Sequence, residues 1–293
     1  ATSDPASSST LAQTHTETIS IADVTGEEST TIAPASAPSS AAAALAETAA
    51  IEPATDMVVD AAGAVLIALN GDTIAVEGDG VAIEGATATI TAAGTYTLSG
   101  TLADGQIIVD TADEAPVQII LNGVDIRSST SAPLAFMNAA QVVIILADNT
   151  ANYIEDASAY TFLDAAEEEP SAAIFSNDDL TINGNGSLTV AANYNDAISS
   201  DDSVTIASGN ITVTAVDDGI RGKDFLTIHG GTITVEAGGD GLKSDNEDDA
   251  ELGYIAIEGG AITVTAGGDA IQAETDVLVT GGEFALVSGG GSA

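Results

Sequence analysis

Five consecutive segments between residues 172 and 288 repeat one pattern: "AAIFSNDDLTINGNGSLTVAA", "NDAISSDDSVTIASGNITVTAV", "DDGIRGKDFLTIHGGTITVEAG", "GDGLKSDNEDDAELGYIAIEGGAITVTAG" and "GDAIQAETDVLVTGGEFALVS". Marker aspartates fall at Asp196, Asp218, Asp240 and Asp269, so the first two steps are 22 residues and the third is 29. The apolar positions keep the same step. Ile174, Ile198, Ile220, Leu242 and Ile271 align, and Leu180, Val204, Leu226 and Val277 each follow their partner six residues later. Leu242 reaches its counterpart Ile255 only after thirteen, which marks a seven-residue insertion in "SDNEDDAELGY". Every later position returns to register, so the insertion leaves the repeat as a surface loop.

A unit this short, with alternating strands split by "GG" or "SG", has nothing of its own on which to bury an apolar face. Stacked units do: each coil pairs with the next as parallel strands, and like residues lie on like. The expectation is an all-β chain, a right-handed parallel β-helix (solenoid), with the hand taken from the general preference of parallel crossovers. Residues 85–170 read as looser coils of the same kind, and about ten coils are expected in a domain spanning 56–293. Residues 1–55 form a low-complexity N-terminal arm rich in Ser, Thr, Ala and Pro, which reads as a disordered or glycosylated stalk. Within it only "ETISIADV" (17–24) alternates like a strand.

Charge narrows the partners. The chain has 45 Asp and Glu against four Lys and Arg, a formal charge of -41. A phosphate backbone or an anionic membrane surface would be repelled, so no nucleic acid is expected. No apolar run is long enough for a membrane span. With no Cys, neither disulfides nor a Cys-ligated zinc hold the fold. The acids read either as a solvated surface or as oxygen ligands, which suit Ca²⁺. A first residue Ala1 in place of Met fits a mature secreted protein, and the expected localisation is extracellular or the cell surface.

Stacking turns sequence columns into physical rows. Asp196, Asp218, Asp240 and Asp269 stack carboxylate over carboxylate, with Asp217 beside them. Like charges that close raise a pKa or recruit a cation, and some of the row can instead cap turns. Further along each coil come Asp202, Asp224, Asp245 and Asn246, also candidate metal ligands, the last two opening the acidic insertion. Arg221 and Lys243 fall in one column on adjacent coils, about 5 Å apart. With Lys223 they are the candidate glycan-binding cations, or they merely balance the aspartates. His229, in the "TIHGG" turn, is expected at the surface. No Ser/His/Asp set or nucleotide fingerprint appears, and "GGDG" reads as turn glycines because no helix follows it.

"GTYTLSGTLADGQIIVD", "VQIILNGVDIRSSTSAPL", "DDLTINGNGSLTV", "YNDAISSDDSVTI", "VDDGIRGKDFLTIHGG" and "GGDGLKSDNEDDAELGYIAIEGG" together resemble a bacterial extracellular β-helix family of carbohydrate-binding domain proteins. The resemblance runs from about residue 56 to the end. It implies a right-handed parallel β-helix, bound calcium, and binding of acidic polysaccharide such as polygalacturonate, on a fold similar to that of pectate lyases. The chain departs from the family in having fewer Lys, in its N-terminal arm, and in stopping at "VSGGGSA" where similar sequences continue into further coils.

Three functions follow as expectations. The first is a non-catalytic, calcium-stabilised binder of uronate-containing polysaccharide; with no Trp and ten Phe and Tyr in all, it relies on cations and not on aromatic platforms. The second is a structural subunit of an extracellular filament or matrix, a homopolymer formed by end-to-end stacking with the 1–55 arm docked on a neighbouring copy. The third is a lyase, with Ca²⁺ acidifying the proton beside a uronate carboxylate and Lys243 or Lys223 as base.

Overall fold

The computed structural model describes residues 63–162 and 169–289. The 1–55 arm, its "ETISIADV" segment and the boundary at residue 56 lie outside the described residues. Among those described there is no helix, hence none long and apolar enough to cross a membrane.

The chain winds into a parallel β-helix whose coils each lay strands on three faces. The first face stacks Thr87–Ile90, Gln106–Asp110, Leu134–Asn138, Ala172–Ser176, Asp196–Ser200, Ile220–Gly222, Leu242–Ser244 and Ile271–Ala273 in order, all parallel. The second and third faces form one continuous sheet, because the long strands Gly94–Leu102 and Val117–Arg127 bend from one face to the other. Beyond them the two faces separate. Val142–Leu146, Leu180–Gly184, Ser203–Ile206, Phe225–Ile228, Tyr254–Ile257 and Val277–Val279 continue the second. Ala151–Glu155, Ser187–Ala191, Asn210–Ala215, Thr232–Ala237, Ala261–Ala266 and Glu283–Val287 continue the third.

The stacking register is the one the repeat dictates. Ile174 pairs with Ile198, Ile198 with Ile220, Ile220 with Leu242, and Leu242 with Ile271. Leu180, Val204, Leu226, Ile255 and Val277 follow one another in the same way. Most of these side chains are fully closed to solvent. Each buried Ile, Leu or Val is worth about 1.5–3 kcal/mol, and the stacked columns join into one continuous apolar core along the coils. The insertion bulges as expected. Asn246 Oδ1 accepts from the amides of Asp248 (2.9 Å) and Asp249 (3.0 Å), closing an Asx-type turn, and the chain re-enters register with Tyr254 beside Phe225.

The coil count differs from expectation. Eight coils are present among the described residues, one for each first-face strand above. Upstream, Ile74–Glu77 folds back antiparallel on Val65–Gly71, and Val81–Glu84 antiparallel on Thr87–Ile90. The reason is local. Asn70-Gly71-Asp72-Thr73 and Gly85-Ala86 are tight turns, with Gly71 at φ 76° and Gly85 at φ 61°. Connections that short join antiparallel neighbours; a parallel coil needs a longer crossover.

Candidate functional site

The marker aspartates stand at the start of the first-face strands (Asp196) or two residues before it (Asp218, Asp240 and Asp269), and the structure shows what their stacking does. Asp218 N donates to Asp196 Oδ1 (3.1 Å), Asp240 N to Asp218 Oδ1 (2.7 Å), and Asp269 N to Asp240 Oδ1 (2.8 Å). Each carboxylate therefore caps the amide of its counterpart on the next coil. Two glycines make room for this ladder. A Cβ on Gly239 would lie 2.3 Å from Asp217 Oδ1 and 2.6 Å from Asp218 Oδ1, and one on Gly268 would lie 2.3 Å from Asp240 Oδ1. The "GGD" spelling of the repeat is thus the imprint of the preceding coil's carboxylates.

Capping does not exhaust the acids. Asp196, Asp217 and Asp218 bring ligand oxygens within 4.8 Å of one another. Asp196 and Asp218 are buried and Asp217 lies at the surface. Burial first, and the charge of Asp218 second, push the Asp196 carboxyl up to about 7, although the Asp218 amide and Arg221 work the other way. Asp217 is also raised, by lost hydration and then by Asp218. Three carboxylates so placed cannot all hold their charge comfortably without a proton or a cation among them. An all-oxygen donor set with negative charge fits a hard cation such as Ca²⁺. Asp240 and Asp269 continue the ladder outward and do not join this cluster.

Arg221 and Lys243 are register partners, as the columns predict. Their charged ends diverge along the strand, which removes the repulsion. Arg221 Nε lies 3.1 and 3.0 Å from the two Asp245 oxygens, and its Nη1 reaches Ser199 Oγ at 3.3 Å and Asp201 at 3.4 Å. Lys243 Nζ turns the opposite way, to Asp218 Oδ2 at 2.8 Å and Asp240 Oδ2 at 3.5 Å. Burial opposes the charged form of both, and the hydrogen bonds and charge of Asp245 and Asp218 more than offset it, so both groups are held above their ordinary range. Lys223 has no carboxylate within ion-pair distance among the described residues.

The remaining predicted ligands sit at the other end of the first-face strands. Asp202 is raised by burial and then by Asp179 and Asp224, which makes this corner a second crowded acidic row. Asp224 Oδ1 accepts from Asn246 Nδ2 at 2.5 Å, and Asp245 is taken up by Arg221. So the structure divides the nine predicted ligands between two corners, and only Asp196, Asp217 and Asp218 converge.

Three features are not visible in the repeat. His229 is buried, not at the surface: its side chain is 7 % exposed and its Nδ1 meets Glu258 of the next coil at 2.5 Å. The signal was present, because His229 and Glu258 are counterparts in "TIHGG" and "AIEGG". Asp156 is buried under a group of rings, with Tyr160 stacked on Tyr194 at 4.2 Å and donating its hydroxyl to Asp156 Oδ2 at 2.7 Å. Arg127, on the third face, pairs with Asp125 (3.0 Å) and Glu155 (2.5 Å) and lies over the Tyr153 ring at 4.8 Å. Asp156 and Arg127 lie in the looser coils, where no repeat aligns the columns.

A family profile described as carbohydrate-binding domain-containing protein matches residues 84–293. A carbohydrate-binding domain-containing protein of Acetivibrio thermocellus is 47% identical over 126 residues, a stretch covering 43% of this chain and 44% of that relative, so the match spans less than half the relative's length. A solved structure described as the polysaccharide lyase-like protein from C. thermocellum, a gadolinium derivative, is similar with a TM-score of 0.69 at 38% identity, covering 76% of this chain and 94% of that one.

Proposed function

The chain belongs to the carbohydrate-binding domain-containing protein family, and on that premise we propose that it is a non-catalytic binder of acidic polysaccharide whose coils are held by Ca²⁺. The observation that carries this reading is the convergence of Asp196, Asp217 and Asp218 around a carboxyl raised to about 7. Asp196 and Asp217 would hold the ion, with Asp218 shared between it and Lys243. When bound, a divalent cation neutralises the cluster and offers coordination positions to a uronate carboxylate.

Of the proposed glycan-binding cations, Lys223 keeps an unspent charge, whereas Arg221 and Lys243 contribute through the field they share with their aspartates. Lys223 stands at the far end of the strand from the acid cluster, about 15 Å away in extended chain. A uronate chain crossing the first face would meet the ion at one end and Lys223 at the other. The same geometry argues against Lys243 as the base of a lyase. A catalytic base must be free to accept a proton near neutral pH, but Lys243 is tied to Asp218 and held above its ordinary range. An extracellular setting fits, because a calcium-rich exterior offsets the self-repulsion of so acidic a chain.

The test is calorimetric titration of Ca²⁺ into the chelator-treated protein, with affinity electrophoresis on polygalacturonate. Saturable Ca²⁺ binding that is lost in Asp196→Asn/Asp217→Asn, and retention by polygalacturonate that chelator abolishes, are expected. Retention indifferent to chelator, or release of unsaturated product absorbing in the ultraviolet, would overturn it.

A further inference from the structure

The outer sides of the second and third faces differ. On the third, Thr189, Thr212, Thr234 and Thr263 are partners in register on four successive coils and point away from the core. All but the half-buried Thr234 are exposed, and none of their hydroxyls has a hydrogen-bond partner among the described residues. On the second face the outward column is Val143, Thr181, Thr205, Thr227, Ala256 and Leu278, again in register. It alternates with the inward set of Leu180, Val204, Leu226 and Ile255, so it too points away from the core. Yet Thr205 is 7 % exposed, Thr227 1 % and Ala256 0 %. Ile120 and Ile145, stacked outward in the next column, are buried as well and stand apart from the continuous core. Phe225 and Tyr254 stack at 5.2 Å and form a separate apolar patch with Ala256 and Leu278. Three buried polar atoms on this side lack a hydrogen-bond partner among the described residues: Thr97 Oγ1, Thr227 Oγ1 and His229 Nε2. The other nitrogen of His229 is taken by Glu258.

We propose that residues 41–62 of this chain, "AAAALAETAAIEPATDMVVDAA", dock along the second face as a strap across the coils. Buried polar atoms are rarely left without partners, so a face holding three of them calls for a segment that brings backbone or side-chain groups to it. Position selects the segment. Residue 62 lies just before the strand Val65–Gly71, whose Val65 and Leu66 pair with Tyr96 and Thr97, so the strap enters the fold at this very face. Reach also suffices. From the coil of Thr97 to that of Ala256 is six steps, about 29 Å, and 22 residues span about 33 Å even as a helix and far more when extended. Composition agrees: Leu45, Ile51, Met57, Val58 and Val59 offer apolar side chains to the Ile120, Ile145 and Phe225–Tyr254 surface. So does charge. The strap carries Glu47, Glu52, Asp56 and Asp60 and no cation, and the outward second-face column is uncharged, whereas the acid-crowded corners of the first face would repel it. The other short stretches of chain outside the described residues do not serve. Residues 163–168 join a third-face strand to a first-face strand, and 290–293 follow the last third-face strand. The face is thus an interaction surface whose occupant is the chain's own approach to the helix.

The experiment uses the full chain, which has no Cys of its own. Thr227→Cys and Thr212→Cys place one thiol on the second and one on the third face, and each is labelled with a maleimide. Thr212→Cys should react at once, and Thr227→Cys about a hundredfold more slowly. Adding Leu45→Asp/Ile51→Asp/Val58→Asp to Thr227→Cys should bring its labelling to within about tenfold of Thr212→Cys, with circular dichroism unchanged. A second measurement leaves the strap intact: benzoylphenylalanine placed at Phe225 is photoactivated and the crosslinked peptides are identified by mass spectrometry. Capture of a peptide from 41–62 within a single-chain band is the expected result. Equal labelling of the two thiols would show an open face and overturn the proposal. Crosslinks to any other peptide of the chain would overturn it too. Crosslinks found only in a two-chain band, with protection of Thr227→Cys lost on dilution, would make a second copy the occupant and overturn it in the same way.

Discussion

The acidic edge of the first face and the threonine surface of the third are built by the same coils on opposite terms. At the edge, polar groups are buried and spent: Asp218 gives one oxygen to the Asp240 amide and the other to Lys243. On the third face, polar groups are exposed and unspent. One repeat thus makes a structural ladder where its carboxylates turn into the coil boundary, and an open array where its hydroxyls stand off the sheet. A residue's place in the coil, more than its polarity, decides whether it holds the fold or faces solvent.

The contrast breaks most readily at the edge through pH. The Asp196 carboxyl lies at about 7 in the folded chain, above its ordinary 3.8, so the folded state binds the proton more tightly. Its contribution is complete below the ordinary value and is lost as pH rises through about 7, an upper bound of roughly 4 kcal/mol. Melting temperature in chelator should therefore fall between about pH 4 and pH 7, and Ca²⁺ should restore it at the upper end. A flat profile, or one unchanged by Asp196→Asn, would remove the edge's special status. Next in size, Gly239→Ala drives a methyl group against the Asp217 and Asp218 oxygens and should cost about 3 kcal/mol, read by denaturant unfolding. Asp218→Ala leaves the Asp240 amide without its acceptor and the half-buried Lys243 with Asp240 alone, and should cost about 2 kcal/mol. At the small end, Thr212→Val should stay within about 0.5 kcal/mol of wild type. If it destabilises as much as Asp218→Ala, the third face is structural too and the distinction fails.

Much of this could be read from the chain because a solenoid converts spacing into contact. The Ile174 to Ile271 column, the Arg221–Lys243 pairing and the bulging of the insertion follow from counting residues, since one register serves every coil. Direction of side chains could not be counted. Arg221 and Lys243 were placed side by side, but whether Arg221 turns toward Asp245 and Lys243 toward Asp218 depends on which corner each long side chain reaches. The aspartate row likewise showed carboxylates stacking, and not that each would cap the next amide. His229 was misjudged because its turn was read alone, without its column neighbour Glu258. The start of the helix was overcounted because Asn70-Gly71 and Gly85-Ala86, as turn signals, favour hairpins over further coils.

The aspartate ladder also has a direction. Each carboxylate belongs to the earlier coil and serves the amide of the later one, from Asp196 through Asp240. A chain assembling from its N-terminal side always finds the acceptor in place before the donor arrives, whereas assembly from the other side leaves each amide uncapped until the earlier coil appears. The hydrogen bonds thus work as a ratchet along the stack, matching the order in which a ribosome releases the coils.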